Sequence, residues 1–221
     1  MNSNNKKQSE DECGSANAIS PKQIRKILSK INVGKNDIFY DLGSGHGRVI
    51  RTVVKHTKVK NAIGIEDDID RFCESIRISK KTLTKEQKKR VEFICAKFEK
   101  YDFSDATIIY EGHEEDEKEV HMYEEKLKKR KAKIIKMDLP LIGYKPLKCI
   151  EIEKRRFYII QYPFVSMKNK EIEWCAFVNK QNPTFKGISD YYRNVMSNYQ
   201  IDEYDTRKSL RYMKTLFEKR F

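Results

Sequence analysis

The sequence predicts a doubly wound α/β domain followed by a smaller α+β appendage, on three observations. Short apolar runs alternate with helical periods between about residues 37 and 138. Those runs are apolar throughout rather than alternating, as parallel strands covered on both faces are. Beyond Tyr144 the pattern changes to closely spaced strands, 149–153 and 157–164, and then to a basic stretch rich in aromatics. With 221 residues, 38% of them hydrophobic, the chain can build one sizeable core and is too short for two large independent domains.

Residues 1–18 carry almost nothing apolar, so a disordered tail is expected there. Ser20, Pro21 and Gln23 have the form of a capping box with proline at the first helical position. Ile24, Ile27, Leu28 and Ile31 follow at helical spacing, predicting an amphipathic helix that ends near Gly34. Strands are then expected at 37–42, 61–66, 91–96, 106–110 and 132–138, and helices at 47–57, 68–83 and 114–131. The closing strands read as an antiparallel pair at the sheet edge. Residues 19–165 are taken as the main domain and 166–221 as a C-terminal extension, with helices near 188–199 and 203–219. The aromatics of the extension either pack on the domain or form a platform for substrate or nucleic acid.

The cysteines at 13, 73, 95, 149 and 175 stand too far apart for a zinc knuckle or redox pair. No apolar run approaches a membrane span, and the first residues have no signal-peptide core. A soluble, cytoplasmic monomer is expected. His113 and His121 lie eight apart among acids, a spacing that does not bring two ligands together on one helix face, so no metal is expected.

The most informative stretch is Tyr40-Asp41-Leu42-Gly43-Ser44-Gly45-His46-Gly47-Arg48, between the first strand and the next helix. Alternate glycines let the backbone turn sharply and approach a ligand. Asp41 sits at the carboxyl end of the first strand. Glu66 ends the second, where a carboxylate can accept from both hydroxyls of a ribose. The spacing is Gly-x-Gly-x-Gly rather than the dinucleotide Gly-x-Gly-x-x-Gly. The preceding acid suits a ligand carrying an ammonium group better than a pyrophosphate.

This combination resembles motifs I and II of the class I S-adenosylmethionine-dependent methyltransferases. The resemblance implies a Rossmann-like, seven-stranded sheet with an antiparallel last strand. It also implies S-adenosylmethionine as cofactor, with Tyr40, Asp41, Gly43, Ser44, Gly45 and Gly47 around its methionine moiety, Glu66 on the ribose, and Asp67 and Phe98 beside the adenine. His46 stands where relatives usually have an acid, and Lys97 where many have Asp or Asn. Ser20-Pro21, Ile65-Glu66, Ser104-Asp105-Ala106-Thr107-Ile108-Ile109, Glu124-Glu125-Lys126-Leu127-Lys128 and Gly143-Tyr144-Lys145-Pro146 are similar to the small archaeal protein lysine methyltransferases. Those in turn resemble the catalytic core of the non-SET histone lysine methyltransferases.

The strand that delivers residues beside the transferable methyl ends Ile109-Tyr110-Glu111-Gly112-His113. It carries no Asn-Pro-Pro-Tyr or Asp-Pro-Pro-Tyr sequence for an exocyclic amine and no cysteine for attack on a pyrimidine. Methylation of a lysine amine needs chiefly alignment and a depressed pKa. Tyr110, Glu111 and Tyr144 are the candidate catalytic residues, the tyrosines walling the lysine stem and the carboxylate orienting its nitrogen. The alternative is that both tyrosines simply pack and Glu111 is solvated.

The formal charge of +13 is concentrated in two segments. Residues 77–90 carry net +6 and residues 126–136 net +7, whereas 111–119 carry net −5. All three sit where helix dipoles favour those signs. The functional readings are nucleic-acid docking through the basic strips and attraction of a lysine-rich protein by the acidic segment. A protein lysine methyltransferase acting on basic proteins is therefore expected. The alternatives are an RNA or DNA methyltransferase and a cofactor-binding subunit without chemistry.

Overall fold

A computed structural model of the chain describes residues 19–112, 118–128, 130–138, 141, 144–153 and 155–165. The expected tail at 1–18 and the helices expected beyond 165 lie outside the described residues. By its contacts the chain divides into two compact units, residues 1–140 with 146–163, and residues 141–145 with 164–221.

Helix α1 (Pro21–Ile31) begins on the expected capping box: the Ser20 hydroxyl accepts from the Gln23 amide, and the Gln23 side chain accepts from the Ser20 amide. It stops at Ile31, short of Gly34, because Asn32 takes a left-handed conformation (φ 52°), which asparagine tolerates better than most residues. Strand β1 (Ile38–Leu42), helix α2 (Arg48–His56), strand β2 (Asn61–Glu66) and helix α3 (Ile69–Thr82) follow as the apolar pattern predicts. A short helix α4 (Lys85–Lys88) precedes β3 (Val91–Cys95). It has no apolar face to betray it in the sequence, only a second capping box made by Thr84 and Gln87. A single 3-10 turn (Phe98–Lys100) leads to β4 (Ile108–Glu111), α5 (Lys118–Leu127), β5 (Ala132–Met137), β6 (Lys148–Ile152) and β7 (Arg155–Tyr162).

The strands form one seven-stranded sheet in the order β3-β2-β1-β4-β5-β7-β6. β1 to β5 pair in parallel, and β7 runs antiparallel to both β5 and β6. The antiparallel last strand expected from the sequence is thus present. Phe39, Ala62, Ile108, Ile135 and Phe157 share one face with the buried sides of α1 and α2. Residues of opposite parity face the other way, where Tyr40 meets Phe103 (ring centroids 6.1 Å apart) and Phe103 meets Tyr123 (6.2 Å). No helix among the described residues is long and apolar enough to cross a membrane.

Several cations of the two basic strips serve the fold. The Arg90 guanidinium donates to the carbonyls of Val54 (2.7 Å), Thr57 (3.0 Å) and Val59 (3.2 Å), closing the C-terminal end of α2. Lys133 donates to the Ile31 carbonyl at the end of α1 (2.8 Å), and Lys126 donates to the Tyr101 carbonyl beneath the Phe103 ring. Arg77 pairs with Glu74, and Lys136 is buried. Replacing Arg90 with alanine is expected to lower stability by about 2 kcal/mol, since hydrogen bonds to charged donors contribute about 1.5–3 kcal/mol. Equilibrium urea unfolding measures it.

Candidate active site

The parallel pairing brings the carboxyl ends of β1, β2 and β4 side by side, with Leu42 in register with Ile65 on one side and Glu111 on the other. The loop after β1 is tied to the end of β2, because the amides of Gly43 and Ser44 both donate to the Ile65 carbonyl (2.9 Å each). The Glu66 carboxylate accepts from the Gly45 amide (2.6 Å) and from the Asp68 amide (3.2 Å). It therefore holds the glycine loop in place, while its oxygens keep lone pairs for a further donor. Arg51, buried in α2, fixes the far side of the loop by donating to the His46 carbonyl.

Gly45 and Gly47 are required for different reasons. Both have positive φ, 52° and 73°. A Cβ on Gly47 would also lie 2.6 Å from two ring atoms of Phe93, so this glycine lets α2 pack onto β3. A Cβ on Gly45 would meet nothing within 4 Å. Close by, the Ser44 hydroxyl is buried with no hydrogen-bond partner among the described residues. Open space over a glycine backbone beside a buried hydroxyl and two buried carboxylates, Asp41 and Glu66, fits a polar ligand carrying both cationic and hydroxyl groups. Gly64, which sequence reasoning missed, belongs to the same construction: a Cβ there would stand 2.7 Å from the Ser44 hydroxyl. A glycine inside an otherwise apolar strand was the available signal.

Strand pleating separates two of the candidate catalytic residues. Tyr110 pairs with Asp41 and shares its face, whereas Glu111 points to the opposite one. The Tyr110 ring is buried and folds over the Gly112 backbone, so its hydroxyl, which reaches the Met137 sulfur at 3.6 Å, lies at the carboxyl end of β4. Burial, and secondarily the Asp41 charge, pushes its pKa well above the usual tyrosine value. It stays protonated at neutral pH, a neutral hydroxyl.

Glu111 departs from both expected readings. It is neither solvated nor open to a channel: its carboxylate is fully buried, 3.0 Å from the equally buried Lys136 ammonium, and accepts from the Tyr123 hydroxyl of α5. The neighbouring register of β4 and β5 makes this pair inevitable once both side chains point to the α5 side. Tyr40, expected near the methionine moiety, has its hydroxyl on Asp105 (2.8 Å) and its ring against Phe103. Asp67 is exposed and Phe98 half-buried, following β2 and β3 respectively. Tyr144 belongs to the second unit, where its ring packs on Phe164 (5.0 Å). His113 and the acids at 114–117 lie outside the described residues, and no cluster of metal-ligating side chains occurs among the described ones.

Solved structures are similar in fold. An RNA methyltransferase from Salinibacter ruber in complex with S-adenosyl-L-homocysteine is similar with a TM-score of 0.54 and 22% identity, over 65% of this chain and 92% of that one. A candidate tRNA (m1A22) methyltransferase of Streptococcus pneumoniae gives a TM-score of 0.61 and 14% identity, over 91% of this chain and 99% of that one. The fold is that of the class I methyltransferases. At these identities the likeness is one of fold. Sequence relationship points elsewhere within the methyltransferase fold: the family model of the histone methylation protein DOT1 matches residues 14–121. A protein-lysine N-methyltransferase of Saccharolobus islandicus (strain REY15A) is 36% identical over 89 residues, 40% of this chain and 53% of that relative. The match thus spans about half the length of that relative. On the methyltransferase fold, the loop after β1 and the end of β2 are where Asp41, Gly43, Ser44, Gly45, Gly47 and Glu66 are found here.

Proposed function

We propose that the chain is an S-adenosylmethionine-dependent protein lysine N-methyltransferase acting on basic proteins. One observation carries the reading. The family match covers the segment that builds the carboxyl edge of the sheet, from the glycine loop through Glu66 to Tyr110 and Glu111. When bound, S-adenosylmethionine supplies an electrophilic methyl group on a sulfonium.

The chain's own residues bind and align. Asp41 complements an ammonium group, and the loop from Gly43 to Gly47 lets a ligand lie against bare backbone. Glu66 accepts ribose hydroxyls with the lone pairs that the Gly45 and Asp68 amides leave. Asp67 and Phe98 flank the base. Tyr110, neutral and at the end of β4, walls the approach of a lysine stem, while the Glu111–Lys136 pair positions that strand end from behind. A lysine attacks only as the neutral amine, so partial burial of its nitrogen in this site promotes the reaction by lowering its pKa. Exposed carboxylates at the same edge, Asp67 and Asp70 after β2, favour the approach of a basic segment, while Asp68 and Asp138 already pair with Arg71 and Arg155.

Titration calorimetry with S-adenosylmethionine tests the site. Asp41→Ala and Glu66→Ala are each expected to weaken binding by about ten- to a hundredfold, the value of a charge-assisted hydrogen bond. Unchanged affinity in both variants would refute the assignment. Incubating the chain with radiolabelled cofactor and a native lysate tests the substrate. Protease-sensitive, nuclease-resistant label is the expected result, and label removed by nuclease would turn the reading to a nucleic-acid methyltransferase.

A further inference from the structure

We infer that the amino-terminal edge of the sheet is a docking surface for the phosphate backbone of nucleic acid, at the end of the strands opposite the proposed methyl-transfer site. The segments entering three adjacent strands each bring lysines to that edge: Lys35 before β1, Lys58 and Lys60 before β2, and Lys85, Lys88 and Lys89 before β3. All six are exposed.

Hydrogen bonds hold the three segments together. The Lys60 amide donates to the Asp37 carbonyl (2.9 Å), the Ala62 amide to the Arg90 carbonyl (2.8 Å), and the Arg90 guanidinium to the carbonyls of Thr57 and Val59. Neighbouring strands lie about 4.8 Å apart, so three strand ends gather these lysines along roughly 10 Å of edge.

Among the described residues four acids stand at this edge, and two of them are engaged within the fold: Asp105, before β4, accepts from the Tyr40 hydroxyl, and Asp37 accepts from the Gly34 amide and the Thr107 hydroxyl. Glu86 pairs with Lys89 at 2.9 Å, and Glu92 stands exposed on β3. Among the described residues, the other five lysines make no ion pair. This surface takes Lys85, Lys88 and Lys89 from the 77–90 strip read from the sequence and adds Lys35, Lys58 and Lys60 from outside it. Arg77, Arg90, Lys126, Lys133 and Lys136 of the two strips already have partners within the fold.

Its chemistry favours nucleic acid over an anionic membrane. Stable membrane docking combines basic residues with inserted apolar ones. Among the described residues, the exposed large apolar side chains of this unit are elsewhere, Ile69 beyond the carboxyl end of β2 and Leu147 beside β6 on the other flank of the sheet. A strand of five or six residues separates the two edges by roughly 15–20 Å. Nucleic acid bound here tethers the protein while the carboxyl edge remains open to a basic protein on the same nucleic acid. The inference rests on charge and topology and holds whatever reaction the other edge performs.

Fluorescence anisotropy of the full chain with a short labelled DNA duplex, across a salt series, tests it. The Lys35→Gln/Lys58→Gln/Lys60→Gln/Lys88→Gln variant is compared with a charge-matched Lys22→Gln/Lys26→Gln/Lys100→Gln/Lys148→Gln variant. The first is expected to lose roughly tenfold or more in affinity and to show a salt slope shallower by about three to four, near one unit for each phosphate contact removed. The second should bind as the parent does. S-adenosylmethionine affinity should be the same in all three proteins, which separates this surface from the proposed cofactor site. If the quadruple variant fails to fold, Lys35→Gln/Lys88→Gln gives the same direction at about half the change in slope. Equal duplex affinity in parent and edge variant, equal loss in both variants, or binding to phosphatidylserine vesicles without binding to duplex would overturn the proposal.

Discussion

Replacing Lys136 with alanine is expected to lower the free energy of unfolding by about 3–5 kcal/mol, the usual consequence of leaving one member of a buried ion pair without its counter-charge. Both side chains are fully buried, and Glu111 ends the strand that reaches the carboxyl edge. The buried carboxylate then lacks the ammonium that offsets its desolvation, so the fold must protonate Glu111, admit water or open around it. Equilibrium urea unfolding reads the loss as a lower midpoint. Replacing the pair with apolar residues of similar size, Lys136→Met with Glu111→Leu, should recover most of the stability, because both desolvation penalties vanish together. The Tyr123 hydroxyl would then lack its acceptor, at a cost of about 1–3 kcal/mol, so adding Tyr123→Phe should improve the double variant further. If Lys136→Ala alone were as stable as the parent, the pair would not hold β4 to β5 and α5, and Glu111 would lose its positioning role.

That pair also marks where sequence reading stops. Glu111 stood at a strand end and invited a functional reading, yet its fate depends on a residue 25 positions away, across a strand register that no local pattern reveals. Elements with a continuous apolar signal were legible: β2 was expected at 61–66 and spans those residues, and α1 begins on the box that Ser20 and Gln23 spell out. Elements without one, such as α4 and the 3-10 turn before β4, were not. The glycine loop was legible because its chemistry is local, a sharp turn between a strand and a helix with an acid before it. Why each glycine is needed was not, since Phe93 reaches Gly47 from β3 and Ser44 reaches Gly64 from the loop. Charge was legible as a sum and misleading as a map. Arg90 and Lys133 close helix ends through backbone carbonyls, which no count of charges could show.

The two glycines should respond to alanine differently. At Gly47 the left-handed backbone costs a non-glycine residue about 1–2 kcal/mol. The overlap with Phe93 adds about 1–3 kcal/mol for an overpacked core. Gly47→Ala is therefore expected to destabilise by roughly 2–5 kcal/mol on those terms. Combining it with Phe93→Leu should cost less than the sum of the single changes, because leucine withdraws the ring atoms the new methyl strikes. At Gly45 only the backbone term applies, about 1–2 kcal/mol, since the added methyl enters empty space. That space is where a ligand would lie against the backbone, so Gly45→Ala should lower cofactor affinity by roughly tenfold or more in calorimetry, about 1.4 kcal/mol, while costing less stability than Gly47→Ala. The contrast is sharper than either result alone. A general weakening of the loop would lower stability and affinity together in both variants. A ligand resting on Gly45 lowers affinity in the variant that remains folded. Unchanged affinity in Gly45→Ala would mean that the open space over this glycine is not the place where the cofactor is held.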